Sequence, residues 1–321
     1  MAELGRLGLV LHPRRDVSAV TGAVVDWAGR RGVAVHVAEF DGHRVPGAVP
    51  VPEAELASSD ALVSVGGDGT MLGALRLVVD DPRPVLGVNM GRLGFLVEIE
   101  PPELLGALDR LAAGDVTVEH HSCLRITIGT DRRVAFNDLA LSRRPGDGTV
   151  NAILTIDDQQ YGYYRADAVI MATPTGSTAH SYSAGGPLLS PVTDAVVITP
   201  VAPMSGISRP LVLGAGERVE FDLLPAPPQP AGPGRSGTDE EPVGRAAVET
   251  DGQVVDHLEP GRTVHAELHR DAGLVVRLDV RVHRQRSQAK LSLLDLPLLP
   301  EQLRELLPAH VRDRLARREP P

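Results

Sequence analysis

The chain has 321 residues, of which 42% are hydrophobic and 3% aromatic, and it carries a formal net charge of -10. This length and apolar content allow two domains with buried cores, whereas the negative charge argues against a surface for nucleic acid or anionic membranes. The single cysteine, Cys123, excludes an internal disulfide and fits a reducing cytoplasm. No apolar run approaches the roughly 20 residues of a membrane-spanning helix. We therefore expect a cytoplasmic protein with no nucleic-acid and no membrane partner.

Strand-like and helix-like segments alternate in the first third of the chain. Short apolar runs at 7–11, 33–37, 61–65 and 84–89 are separated or followed by segments with helical spacing, such as 102–113. This alternation predicts a parallel sheet with helices on both faces. We interpret residues 1–115 as a Rossmann-like α/β domain.

The pattern changes near residue 115, where runs rich in Val, Ile and Thr follow one another with no helix between them. The runs are 116–120, 123–128, 134–141, 152–156 and 168–172, with later ones from 195 onward that end with 263–268 and 273–282. So many strands in succession predict an all-β domain, which we interpret as a β-sandwich over residues 116–285. A Pro- and Gly-rich insert at 224–245 predicts a mobile loop, and spaced leucines at 286–321 predict a helical tail.

A glycine turn, Gly66-Gly67-Asp68-Gly69-Thr70, follows the buried run at 61–65 and precedes a segment with helical spacing. A strand, a glycine turn and a helix N-terminus together present backbone N–H groups and a positive dipole end, which favours a phosphate. The glycines allow positive φ and close approach of a ligand. Because a carboxylate repels a bare phosphate, Asp68 must cap the helix, meet a metal or accept a proton from a hydroxyl. The spacing matches neither a Walker A loop nor the dinucleotide fingerprint, so a tight turn with an Asp cap is the simplest alternative.

A second stretch, residues 171–187, is dense in hydroxyl side chains. Pro174 and Gly176 predict a turn at the end of an apolar run, after which Thr175, Ser177 and Thr178 supply donors suited to phosphate or ribose oxygens. A capped Ser/Thr turn explains the same residues without a ligand. The density of hydroxyls favours binding, since loops gather functional residues.

Together the two stretches resemble the NAD kinase family. The similarity extends to the segment 87–96, to Phe136-Asn137-Asp138, to Arg165-Ala166-Asp167 and to Asp251-Gly252-Gln253. It implies transfer of the γ-phosphoryl group of ATP, with Mg²⁺, to the 2′-hydroxyl of the adenosine ribose of NAD, giving NADP; polyphosphate is a second candidate donor. A kinase of the same scaffold acting on another nucleoside or on a lipid hydroxyl, and a non-catalytic dinucleotide-binding regulator, are the alternatives.

The resemblance also implies roles for individual residues. It makes Asp68 the catalytic proton acceptor, with no metal held by protein side chains. The residues implied to bind the nucleotides are Gly66, Gly67, Gly69, Thr70, Asn137, Asp138, Asp167, Thr178, Ala179, His180 and Ser183. The family more often has Tyr at position 180 and many members have His at position 204, so His180 and Met204 depart from it near the nicotinamide end. The resemblance further implies that the chain end packs back on the first domain and that the protein forms homodimers or homotetramers. The predicted tail at 286–321 fits either packing on the first domain or an oligomer interface.

Asp251 has a simpler explanation in the sequence. It begins an Asp-Gly pair between two strand-like runs, at 246–250 and 253–258. Such pairs favour two-residue hairpin turns. The turn alone is therefore sufficient to explain Asp251.

Overall fold

The structure is a computed structural model that describes residues 4–91, 94–97, 99–225, 244–281 and 283. These residues form two compact units. The first unit contains the chain up to His120 together with the described residues from Ala272 onward, and the second unit is His121–Asp271. The sequence suggests divisions at 115 and 285 instead. The tail expected at 286–321 and most of the insert at 224–245 lie outside the described residues.

The first unit begins with five parallel strands that have helices in their connections. The strands are β1 (Arg6–Leu11), β2 (Ala34–Ala38), β3 (Val49–Val51), β4 (Ala61–Gly66) and β5 (Pro84–Asn89). The helices are α1 (Ser18–Arg31), α2 (Glu53–Ala57), α3 (Asp68–Leu77) and α4 (Leu104–Ala113). The strands pair in the order β3-β2-β1-β4-β5, and every pair is parallel. This arrangement confirms the predicted α/β domain.

The sequence of the first unit explains its elements. Every residue of β4 is buried, as expected for a strand of a parallel sheet that is covered on both faces. Val24 and Trp27 of α1 are buried in the core of this unit. The same helix ends at Gly32, which adopts φ +69° in a left-handed C-cap.

Among the described residues that follow, there are thirteen strands and, between two of them, a short helix. The strands are β6 (Thr117–Ile128), β7 (Asp131–Ala135), β8 (Asp138–Arg143), β9 (Val150–Ile156), β10 (Gln159–Ala166), β11 (Ala168–Ala172), β12 (Ala195–Val201), β13 (Ser205–Gly206), β14 (Leu211–Gly214), β15 (Val219–Leu223), β16 (Ala246–Thr250), β17 (Gln253–Leu258) and β18 (Thr263–Arg277). The short helix, α5, is His180–Ser183, and it follows a 3₁₀ turn at Gly176–Thr178. Further 3₁₀ turns lie in the first unit at Glu39–Arg44 and Pro101–Glu103.

The second unit contains two antiparallel sheets. One sheet has the order β13-β10-β9-β15-β18, and the other has the order β14-β12-β11-β8-β16-β17. Leu154 and Phe221 of the first sheet share one apolar core with Leu139 and Met171 of the second. Two sheets packed around a common core confirm the predicted β-sandwich.

Several strands differ from the sequence prediction, among them β6, which joins the runs predicted at 116–120 and 123–128. The run at 134–141 is two strands, β7 and β8, with a turn at Phe136 and Asn137 between them. Strand β10 is not predicted, because its Gln, Gly and Tyr residues show no apolar alternation. The runs at 263–268 and 273–282 are joined in the single strand β18, which ends at Arg277.

The length of β18 follows from its change of partner. Its first part pairs antiparallel with β15, whereas Leu274 and Val275 pair parallel with Pro84 and Val85 of β5. The polar residues between the two parts therefore interrupt the apolar pattern without ending the strand. The described part of the chain end thus returns to the first unit, as expected. None of the helices in the described ranges is long and apolar enough to cross a membrane.

Candidate functional site

The glycine turn lies at the carboxyl end of β4, where α3 begins. Gly67 is the N-cap, and its carbonyl accepts hydrogen bonds from the N–H groups of Thr70 and Met71, both at 3.0 Å. A Cβ atom at Gly66 would lie 2.1 Å from Thr70 Oγ1, whereas at Gly67 and Gly69 it would meet no atom within 4 Å. The expectation of positive φ is wrong for all three glycines. Close packing against Thr70 explains why position 66 is a glycine, whereas Gly67 and Gly69 leave space beside the turn unfilled.

The carboxylate of Asp68 anchors the loop that follows β5. It accepts hydrogen bonds from the backbone N–H groups of Phe95 at 2.7 Å, Leu96 at 3.0 Å and Val97 at 3.3 Å. A Cβ atom at Gly94 would lie 2.0 Å from Asp68 Oδ1, so only glycine allows this approach. Anchoring of a loop is a role for Asp68 beyond the three that the sequence suggests. It also fixes the direction of a half-buried carboxylate.

The ends of this loop are fixed as well. The N–H of Asn89 donates to the carbonyl of Ile99 at 2.7 Å, where the chain rejoins the sheet beside β5. The guanidinium of Arg15, in the connection after β1, donates to the carbonyl of Met90. The described residues of this loop are therefore held beside the glycine turn, where the N–H of Met90 also donates to the carbonyl of Gly66 at 2.7 Å.

In the second unit, Asn137 and Asp138 lie where β7 turns into β8. The carboxylate of Asp251 accepts hydrogen bonds from the N–H groups of Phe136 at 3.2 Å, Asn137 at 2.6 Å and Asp138 at 3.4 Å. Asp251 itself adopts φ +50° in the turn between β16 and β17. It therefore does more than form its own turn, since it also organises the turn that carries the two predicted binding residues.

Asp138 is a buried carboxyl group with a shifted pKa. Its residue is 3% exposed, and its side chain accepts a hydrogen bond from the backbone N–H of His180. Burial, followed by the negative charges of Asp251 and Glu249, raises the pKa of Asp138 to about 7. The group is therefore close to half-ionised at neutral pH, where a hydroxyl donor would favour its charged form.

Hydroxyl groups of the 173–186 segment are used inside the protein. Thr173 Oγ1 donates to the carbonyl of Phe136 at 2.6 Å and accepts from the N–H of Gly176 at 3.0 Å. Ser177 is fully buried, and its Oγ donates to the carbonyl of Pro174 at 2.7 Å. The expectation that Ser177 offers its hydroxyl to a ligand is therefore wrong, because that group holds the segment itself together.

The segment packs directly on the 136–138 turn. A Cβ atom at Gly176 would lie 1.9 Å from the carbonyl oxygen of Asn137, so only glycine fits there. His121, which is 6% exposed, places Nδ1 3.0 Å from Thr175 Oγ1. Sequence reasoning missed His121, because one histidine of a His-His pair in a strand carries no recognisable motif. The other predicted residues of the segment are at least partly accessible: Thr178, Ala179, His180 and Ser183.

Asp167 lies apart from this group. Asp138 pairs with Ala172 at one end of the β8–β11 pair, whereas Asp167 immediately precedes Ala168 at the other end. Five residues of extended strand span about 16 Å. Asp167 Oδ1 instead pairs with Arg143 Nε at 2.9 Å. The structure thus brings the 136–138 turn and the 176–183 segment together but leaves Asp167 at the far end of the sheet.

These features define the class of protein. A buried parallel strand that ends in a glycine turn at a helix N-terminus is a phosphate-binding arrangement, and the second unit presents an acidic and hydroxyl-rich turn on a β-sandwich. The chain is therefore an α/β protein that carries a glycine turn of the phosphate-binding type and a β-sandwich unit. No group of three or more His, Cys, Asp or Glu side chains in the described ranges is placed to hold a metal ion.

Comparison with known proteins identifies the family. Residues 7–116 match the ATP-NAD kinase N-terminal domain, and residues 136–242 match the ATP-NAD kinase C-terminal domain. The NAD kinase of Moorella thermoacetica is 34% identical over 232 residues, which cover 71% of this chain and 70% of that relative. The chain belongs to the NAD kinase family.

Other relatives align over a shorter part. The NAD kinase of Wolinella succinogenes is 38% identical over 172 residues, or 52% of this chain and 59% of the relative. That of Desulforamulus reducens is 39% identical over 174 residues, or 53% of this chain and 60% of the relative. The chain thus spans about three fifths of these two relatives.

Two solved structures share the fold at low sequence identity. A yeast NADH kinase complexed with NADH has a TM-score of 0.77 and 22% identity, covering 94% of this chain and 91% of that one. An NAD kinase from Archaeoglobus fulgidus in complex with ATP has a TM-score of 0.64 and 22% identity, covering 89% of this chain and 97% of that one. At this identity the likeness shows the fold alone.

Proposed function

We propose that the protein is an NAD kinase, which transfers the γ-phosphoryl group of MgATP to the 2′-hydroxyl of the adenosine ribose of NAD and yields NADP. The observation that carries the proposal is the glycine turn with Asp68 at the first residue of α3, in a chain of the NAD kinase family. The curated relatives described above are NAD kinases. They do not favour a kinase for another nucleoside or for a lipid hydroxyl.

Asp68 is the proposed proton acceptor for the 2′-hydroxyl. A carboxylate is a weak base toward an alcohol, so it receives the proton late in the transfer, while the charge on the phosphoryl group is stabilised by other groups. The three N–H donors from Phe95, Leu96 and Val97 support this role because they hold the carboxylate in one orientation. A fixed orientation lowers the entropic part of the barrier.

The phosphates of ATP are proposed to bind at the open side of the turn. Gly66, Gly67, Gly69 and Thr70 line this path, and the first N–H groups of a helix have no intrahelical partner and attract anions. Mg²⁺ enters as part of MgATP, since this ion is usually held by one or two carboxylates together with substrate phosphates. It neutralises charge on the phosphate oxygens.

The dinucleotide is proposed to bind the second unit. Asn137 and Asp138 are proposed to bind the adenine and its ribose. Thr178, Ala179 and Ser183 are proposed to contact the bound dinucleotide, and His180 is proposed to lie near its nicotinamide end. The carboxylate of Asp138 suits a sugar hydroxyl, since it accepts hydrogen bonds in its charged form. Asp167 is proposed for the nicotinamide end, and its position at the opposite end of β11 from this group supports a separate contact.

The test is a substrate panel with the full-length protein. NAD, NADH, free nucleosides and a diacylglycerol are each supplied with MgATP or with polyphosphate, and NADP is measured by a coupled NADP-specific dehydrogenase. We expect NAD or NADH to be phosphorylated far faster than any other acceptor. Faster phosphorylation of another hydroxyl compound would favour the alternative kinase. Tight binding of NAD with no turnover under all conditions would identify a non-catalytic binder.

Two further properties are part of the proposal. A homodimer or homotetramer is expected from the family resemblance, and sedimentation velocity measures it directly. A cytoplasmic location is supported by the single cysteine, Cys123, which has no partner cysteine in the chain for a disulfide. A monomer at all concentrations would contradict the first, and secretion of the protein would contradict the second.

A further inference from the structure

A buried arginine lies behind the loop that Asp68 anchors. Arg277, the last residue of β18, is 1% exposed. Its Nε donates to Glu119 Oε2 at 2.5 Å, and its Nη1 donates to the carbonyl of Leu96 at 2.7 Å. A buried guanidinium is strongly unfavourable unless its charge is paired and its hydrogen bonds are made. The two contacts therefore define where the loop must lie for Arg277 to remain buried.

Arg277 and Asp68 bind the same peptide group from opposite sides. The carbonyl of Leu96 and the N–H of Val97 belong to one planar peptide unit, in which the two groups point in opposite directions. Arg277 donates to that carbonyl at 2.7 Å, and the N–H donates to Asp68 Oδ1 at 3.3 Å. The N–H of Leu96 donates to the same Oδ1 at 3.0 Å. A rotation of this peptide would weaken the contacts with Arg277 and with Asp68 together.

We propose that Arg277, held by Glu119, is a positioning residue for Asp68. It fixes the 96–97 peptide, and this peptide in turn sets the direction of the carboxylate. The inference rests on the proposed function, because that function makes Asp68 the proton acceptor for a hydroxyl that it must face. A purely structural ion pair is the competing explanation, but buried ion pairs often contribute little net stability relative to apolar side chains. The presence of a charged fork at this buried position is better explained by the orientation that it imposes.

The first test compares Arg277→Lys with a control variant of a second arginine that also pairs with a carboxylate. Lysine keeps the charge but lacks the planar fork that reaches Glu119 and Leu96 at once. Because a misplacement of about 1 Å can lower a rate by about 100-fold, we expect kcat to fall by about 10- to 100-fold, with the KM values for NAD and ATP changed by less than about 3-fold. Activities are normalised to the folded fraction.

The control is Arg110→Met. Arg110 also pairs with a carboxylate, Asp115, at 2.9 Å and donates to a backbone carbonyl, that of Leu278, at 2.9 Å. These contacts do not involve the peptide that binds Asp68. We expect kcat of this variant to stay within about 2-fold of the wild type, since surface ion pairs contribute little. An equal loss of kcat in both arginine variants would overturn the inference.

A double-mutant cycle separates positioning from stability. If Arg277 acts through Asp68, Arg277→Lys should lower the residual kcat of Asp68→Asn by less than about 3-fold, because the two residues act as a unit. If the two losses multiply in full, the inference is wrong while the proposed function stands. A kcat of Arg277→Lys equal to that of the wild type would likewise contradict the inference and leave the proposed function standing.

Hydrogen exchange gives a readout that does not depend on activity. The amides of residues 95–97 should exchange faster in Arg277→Lys than in the wild type, whereas in Arg110→Met they should not. Unchanged exchange in Arg277→Lys would contradict the proposed anchoring even if the wild-type protein formed no NADP. Absence of NADP in the wild type, with the exchange result as expected, would contradict the proposed function alone.

Discussion

Replacement of Asp138 by Asn should change how the stability of the protein depends on pH. Burial raises the pKa of this carboxyl group from 3.8 to about 7 in the folded state. Between these two values the folded state binds more protons than the unfolded state, so the free energy of unfolding of the wild type falls as the pH rises. Asn carries no titrating proton, so Asp138→Asn removes this dependence.

The magnitude follows from the pKa difference. At about 1.4 kcal/mol per pKa unit, the wild type loses about 4 kcal/mol once the pH exceeds the folded-state pKa. About 1.5 kcal/mol of this loss is already present near pH 5, because the Asp138 carboxyl group is ionised in most unfolded molecules at that pH. The stability of Asp138→Asn relative to the wild type should therefore rise by about 2.5 kcal/mol between about pH 5 and about pH 8.

Urea denaturation at the two pH values measures this difference. Asp158→Asn is the control, because this side chain lies in the same unit but is 74% exposed and paired with Arg218 at the surface. We expect its difference from the wild type to change by less than about 0.5 kcal/mol over the same pH range. A difference for Asp138→Asn that does not depend on pH, or that falls as the pH rises, would refute the reasoning.

Three further predictions concern the second unit and one control in the first. Asp251→Ala removes the acceptor of three backbone N–H groups, the shortest bond being 2.6 Å. Since hydrogen bonds to charged groups contribute about 1.5–3 kcal/mol each, we expect the free energy of unfolding, measured by urea denaturation, to fall by at least about 3 kcal/mol. Asp251→Asn should lower it by less. Gly176→Ala places a Cβ atom 1.9 Å from the Asn137 carbonyl oxygen and should destabilise the protein by more than about 2 kcal/mol. Gly106→Ala, at an open position in α4, should instead stabilise it by up to about 1 kcal/mol; equal effects of the two glycine changes would contradict the packing argument. Burial raises the pKa of the Cys123 thiol to about 12, so iodoacetamide should label it in urea but not in the native protein, and rapid native labelling would contradict its burial.

Elements that depend on local pattern could be predicted from the sequence. Strand β11, Ala168–Ala172, lies where the apolar run places it, and β4 exceeds the predicted run by one residue, Gly66. Helix α3, which its spaced leucines indicate, begins at Asp68, within the glycine turn. These features depend on neighbours within a few residues, and such neighbours are visible in the sequence.

Features that depend on distant partners could not be predicted. Residues 134–141 read as one strand, because the turn at Phe136 and Asn137 is organised by Asp251, more than 100 residues away in the chain. The burial of Arg277 is not visible in the sequence, since arginine is rarely buried and its burial here depends on Glu119 and Leu96. For the same reason the family resemblance points to Asp68 and to the segment 87–96, but not to the hydrogen bonds that join Asp68 to residues 95–97.

The central claim is that Asp68 accepts the proton of the 2′-hydroxyl, and kcat of Asp68→Asn tests it most directly. Asn keeps one oxygen for the N–H groups of the loop but is not a base. Because general base catalysis contributes about 100- to 10,000-fold, kcat for NADP formation should fall by at least about 100-fold, while the Kd for NAD changes by less than about 3-fold. A kcat within about 3-fold of the wild type would contradict the claim.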